Sequence, residues 1–195
     1  MTRPPEGWPT TIAIIVAVPF CPAFEGKGGL LWSMRFSALL LALALFTPGA
    51  PAQIADRAFA GLERLTGNWE ASVGTKGTII RLNLRKISND SAVVETFTTP
   101  NGRETLTVFH PDGNRLLATH YCAQGNQPRL ALDPQSTSTE MTFRFLDATN
   151  LKSEQDAHLI RLVLKIKDDD HFEKTEVYTE RGVEDITVYQ FTRVR

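Results

Sequence analysis

Cysteine is nearly absent from this chain, and so is any imbalance of charge. Two cysteines, Cys21 and Cys122, stand among 195 residues. The 22 acidic and 21 basic side chains almost cancel, so no net charge points to nucleic acid or to an anionic membrane as partner. Four motifs are missing as well: the serine-hydrolase elbow, the P-loop, the dinucleotide fingerprint and the metalloprotease HExxH. Cys-x-x-Cys and His-x-x-x-His pairs are absent too, which removes the usual metal spacings. After Gln53 there is no internal repeat and no low-complexity tract.

What is present begins with a two-part composition. MRFSALLLALALFTPGAPA, Met34 to Ala52, has the form of a secretory signal. Arg35 is its positive start, and Phe36 to Phe46 is an apolar run too short to span a bilayer comfortably. Ala50-Pro51-Ala52 fits the small-x-small rule, so cleavage is expected between Ala52 and Gln53, with export to the periplasm or beyond. Residues 1–33 then read as sequence upstream of a start at Met34. One long leader is the competing reading; a lipoprotein signal at Cys21 fits poorly after Pro19 and Phe20.

Residues 53–195 make one domain, large enough for a proper core. Its only cysteine is Cys122, so no disulfide can form within it, and the thiol is buried, reactive or paired with another chain. No membrane span is expected in this part.

The hydrophobic pattern of this domain changes once. In QIADRAFAGLERLTG, Ile54, Ala58, Gly61, Leu62 and Leu65 recur at helical spacing, which predicts a short amphipathic helix with Gly67 as its C′ residue. From Asn68 onward the period is two. Ten strand candidates follow, with turn signals such as SND, PNG, DGN, DDD and ERG between them. HPDGNR predicts a hairpin with Asp112-Gly113 at its centre. In HLIRLVLKI, His158, Ile160, Leu162, Leu164 and Ile166 are expected on one face. Leu146 to Ala157 is the longest loop candidate. No helix separates the strands, so the sheet should be antiparallel. The class is all-β: an up-and-down barrel of about ten strands with a β-sandwich as the alternative.

LERLTGNWE, Leu62 to Glu70, resembles the short helix and Gly-x-Trp opening of calycin-type barrels such as lipocalins, fatty-acid-binding proteins and nitrobindin-like proteins. With THYCAQGNQPRL, HLIRLVL and FTRVR, residues 57–195 are similar to exported, uncharacterised bacterial proteins with lipocalin-like domains. The resemblance implies a barrel whose first strand begins at Gly67 and Trp69, with Trp69 closing the base. It implies small apolar ligands from the lipocalin side and haem on a histidine from the nitrobindin side. A second lipocalin signature is missing, and no histidine here matches the haem ligand.

THYCAQGNQPRL, residues 119–130, is the best candidate site. His120 and Cys122 are two apart on a strand and share a face; a two-residue turn at Asp112-Gly113 would put Thr105 opposite His120. His120, Tyr121, Asn126, Gln127, Arg129 and His158 are the candidate ligand contacts. Arg129 has the fork to clamp a carboxylate or phosphate; the plainer alternative is that it pairs with a nearby acid. No cofactor is predicted, although His120, Cys122 and His158 together could hold zinc or copper. Glu173 and Glu176 fall on opposite faces of their strand and make no acid–base pair there. The leading expectation is an exported protein that binds a small, partly apolar molecule in its lumen. The alternatives are an enzyme using His120 and Cys122, or a barrel with a filled core. Sequence does not specify the oligomeric state.

Overall fold

The computed structural model describes residues 51–74 and 77–195. The leader and its cleavage point, the upstream segment and Cys21 lie outside or at the edge of the described residues. The chain runs α1 (Pro51–Arg64), β1 (Gly67–Val73), β2 (Thr78–Ile87), β3 (Ala92–Thr98), β4 (Glu104–Asp112) and β5 (Arg115–Tyr121). It continues through β6 (Gln127–Leu132), β7 (Glu140–Thr149), β8 (His158–Ile166), β9 (His171–Glu180) and β10 (Val183–Val194). Every strand pairs antiparallel with its neighbour in sequence, and β1 pairs with β10, so the ten strands form a closed up-and-down barrel. Closure leaves no edge strand with unpaired backbone groups. The sandwich alternative is thereby set aside. No described helix is long and apolar enough to cross a membrane.

One end of the barrel is plugged by α1. Ala55, Ala58, Leu62 and Leu65 on its apolar stripe are buried. The Trp69 ring meets Phe172 edge-on at 4.7 Å, and its Nε1 donates to the Leu65 carbonyl at 2.7 Å. Arg193 lies over the Trp69 ring at 4.1 Å and donates to the Thr66 and Arg64 carbonyls. It thus satisfies acceptors that the end of α1 leaves without intrahelical partners. Gly67 does not act as the helix C′ residue. The helix ends at Arg64, Leu65 and Thr66 close with i→i+3 bonds, and Gly67 opens β1 at φ +131°. A side chain there would strike the Arg193 guanidinium.

Three local details depart from the sequence pattern. The β4–β5 hairpin turns on Gly113-Asn114, because Asp112 pairs with Arg115. Gly113 has φ +61° and supplies the left-handed residue that such a two-residue turn needs. Thr107, not Thr105, is therefore opposite His120. The slip is two residues, so every side chain keeps its face. Secondly, β7 runs on to Thr149, which shortens the loop before β8 to residues 150–157.

The third departure is a bulge in β8 between Leu159 and Arg161. Leu162 and Leu164 lie opposite the inward Glu176 and Lys174, but beyond the bulge it is Leu159 that faces Tyr178. The extra residue reverses the alternation. His158 consequently leaves the face of Leu162 and packs against Phe145, ring centroids 5.0 Å apart.

Candidate functional site

The loops β3–β4, β5–β6, β7–β8 and β9–β10 all gather at the end opposite α1. Backbone and amide contacts tie three of them together. Asn126 Nδ2 donates to the Ala157 carbonyl at 2.9 Å, Asn150 Nδ2 to the Gly125 carbonyl, and the Arg181 N–H to the Gln155 carbonyl. The loop around Asn126 and the loop of residues 150–157 are thus neighbours.

Inside this end is a cavity of about 590 Å³. Phe97, Tyr178 and Tyr189 give it aromatic walls; Thr105, Thr187 and Glu176 add polar groups, and Arg103 and Arg181 stand at the rim. The other half of the barrel interior is solid, filled by Leu82, Leu84, Phe109, Leu116, Phe143, Phe172 and Phe191, all buried.

Beneath the cavity, β3, β4, β5 and β9 contribute polar side chains to one buried network. Its ionic part is Lys174, which is 0% exposed and bonded to Glu95 and, at 2.9 Å, to Glu176. Its neutral part is a chain of hydrogen bonds. Tyr178 OH lies 3.0 Å from His120 Nε2, and His120 Nδ1 lies 3.0 Å from Thr107 Oγ1. The Thr107 hydroxyl in turn donates to Glu95 Oε1 at 3.4 Å. One tautomer satisfies every link: Tyr178 donates to Nε2, and Nδ1–H donates to Thr107.

The surroundings decide the protonation of each member. Burial pulls His120 down to about 4, and Lys174 adds to this while Glu176 opposes it, so the ring is neutral near pH 7. Burial raises Glu95 above the usual carboxyl range, against the pull of Lys174. Burial works against the Lys174 charge, but the Glu176 and Glu95 carboxylates outweigh it and hold the ammonium charged. Tyr178 is raised by burial and by Glu176, so it remains a phenol. Glu95 Oε2 is buried with no hydrogen-bond partner.

No protein-family model and no curated protein sequence matches this chain.

The structure separates the six candidate contacts. His120 points inward but lies behind Tyr178 and does not line the cavity. Tyr121 is next along β5 and is 48% exposed on the outer surface. Asn126 is buried as a tie between loops, and Gln127 is spent on the Gly125 carbonyl and the Thr149 hydroxyl. Arg129 is opposite Thr119 on the outer face and forms a two-pronged pair with Asp147, Nε to Oδ1 at 2.6 Å. The plainer expectation for that arginine therefore holds. His158 Nδ1 donates to the Asp156 carbonyl at 2.7 Å.

His120, Cys122 and His158 do not come together as a ligand set. Among the described residues no group of three or more His, Cys, Asp or Glu side chains is placed to hold a metal ion. Both ring nitrogens of His120 are already engaged. Cys122 is buried and donates to Gln124 Oε1 at 2.8 Å; the Tyr178 hydroxyl stands between its sulfur and the His120 ring.

Glu95, Thr107, Lys174, Glu176 and Tyr178, the partners of His120 in the buried network, are not among the site residues expected from sequence. A signal for them exists in the phase of the strands. In HFEKTEVYTE, the apolar Phe172 sets a face that Lys174, Glu176 and Tyr178 then occupy; in AVVETFT, Val93 and Phe97 set the face of Glu95. Charged residues in phase with buried aromatics on two strands mark an interior polar site. Glu173 and Glu176 do lie on opposite faces, as the spacing requires: Glu173 bonds Gln190 on the surface. The carboxylate that accompanies Glu176 comes from another strand.

Proposed function

We propose that this chain is an exported, calycin-like barrel that binds a small, partly apolar molecule at the open end of its lumen. The observation that supports this most is the cavity of about 590 Å³, which falls in the range of small-molecule sites. Its make-up also fits the reading, since aromatic walls with a few fixed polar groups supply both burial and orientation. The contacts are Phe97, Thr105, Glu176, Tyr178 and Tyr189, with His120 holding Tyr178 from behind. The calycin likeness rests on the Gly67-x-Trp69 opening, and export rests on the signal pattern at residues 34–52.

Native mass spectrometry of the full chain purified from its own host tests the reading. A non-covalent small-molecule adduct is expected, and Thr187→Trp, which fills the cavity from β10, should remove it while the melting temperature is retained. Absence of any adduct, together with equal binding of an apolar fluorescent dye to both proteins, would overturn it.

A further inference from the structure

The buried ionic group below the cavity has one positive charge too few. Lys174 lies between Glu95 and Glu176, so one ammonium faces two carboxylates. Charges at this depth are costly unless they are matched.

Glu176 is the member of the trio that reaches the cavity. Its Oε1 takes Lys174, and no donor among the described residues is hydrogen-bonded to its second oxygen. The register explains why. Glu176 is opposite Leu162 on β8, which has no donor, and opposite Thr187 on β10, whose hydroxyl is not bonded to it. Two places along β10, Asp185 is opposite Tyr178 and also lines the cavity; unlike Glu176, it has no cationic partner among the described residues. One wall of the cavity, β9 with β10, thus presents Glu176 and Asp185, with Glu180 at its rim, flanked by the rings of Tyr178 and Tyr189. Phe97 is already used: the Lys174 ammonium sits 4.9 Å from its ring centre.

We infer that the ligand of this cavity is an organic ammonium ion with an apolar body, its cationic head beside Glu176 and its body against Tyr178 and Tyr189. This rests on the lumen-binding reading and names its ligand class. Ring faces and a carboxylate together are the chemistry that holds an ammonium ion out of water. The Lys174 charge does not bar the ligand, because Glu95 offsets it from the far side. Arg103 and Arg181 also border the cavity, but they are exposed on rim loops, where water and salt screen them. Glu176 acts from a drier position and dominates.

Three probes of similar size decide the matter: benzyltrimethylammonium, benzyl alcohol and phenylacetate, titrated into the full chain by calorimetry and NMR. The ammonium should bind tightest. Glu176→Gln should weaken it about tenfold, equal to about 1.4 kcal/mol, and leave benzyl alcohol unchanged. Asp185→Asn, an exposed rim change with little risk to folding, should weaken the ammonium less and leave benzyl alcohol unchanged. Phenylacetate binding tighter than the ammonium overturns the inference, as does an ammonium affinity untouched by both variants; either leaves the lumen-binding reading intact. If none of the three binds, and Thr187→Trp leaves any host adduct in place, both readings fall together.

Discussion

Acid should find His120 first. In the folded barrel its ring titrates near 4 because burial disfavours the charged form, whereas an unfolded chain takes the proton at the ordinary value of 6.5. The unfolded state therefore binds more protons between these values, and stability falls as pH is lowered from 6.5 toward 4. Linkage puts the loss at about 2 kcal/mol by pH 5 and about 3 kcal/mol by pH 4. Glu95 acts in the opposite sense. Its raised value means the folded state holds the extra proton, so its own contribution falls as pH rises above the usual carboxyl range. Comparison with His120→Gln separates the two, since Glu95 is present in both proteins. At pH 7 the variant should be less stable by about 1–2 kcal/mol, for imperfect replacement of the bonds to Thr107 and Tyr178. At pH 4 it should be the more stable protein, the curves crossing near pH 5.5 as the two terms of about 1–2 kcal/mol become equal. Urea unfolding at each pH, followed by tryptophan fluorescence and far-UV circular dichroism, gives both curves. A stability difference that stays constant from pH 7 to 4 would refute a buried, neutral His120.

Other substitutions examine the rest of the frame. Lys174→Met strands Glu95 and Glu176 without their cation and should cost about 3–5 kcal/mol in urea unfolding. Adding Glu95→Gln and Glu176→Gln should recover most of that loss; a single variant no worse than the triple would contradict the ionic trio. Gly61→Ala should destabilise, although alanine gains about 1 kcal/mol of helix propensity in α1. A Cβ there falls 3.2 Å from the Ser138 carbonyl carbon and closer still to its oxygen, so a raised melting temperature would disprove that contact. Arg129→Ala breaks only an exposed pair with Asp147 and should barely alter either the melting temperature or cavity binding. Loss of ligand with this variant would restore Arg129 as a contact.

The surface and the interior were not equally legible in the chain. Period-two alternation and turn residues are local properties, so ten strands, their antiparallel order and the helix before them could be read directly. The inward direction of His120 was legible for the same reason, and a hairpin turn misplaced by one residue did not alter it, because the register moved by two. His158 departs from its expected face because a bulge is an insertion of one residue whose only sequence trace is a break in alternation. Ile160 is apolar and conceals that break.

Local sequence also could not assemble the polar network. Glu95 and Lys174 are 79 positions apart, and only closure of the barrel puts β3 and β9 on facing walls. Sequence by itself determined the class of fold, the alternation of faces along the strands outside the bulges and the single cysteine of the domain, since these depend on neighbours along the chain. Tertiary structure alone decided that Arg129 is paired on the outside and that Glu95, Lys174 and Glu176 meet inside. Contacts across a barrel depend on strand number, stagger and closure, which no short window of residues contains.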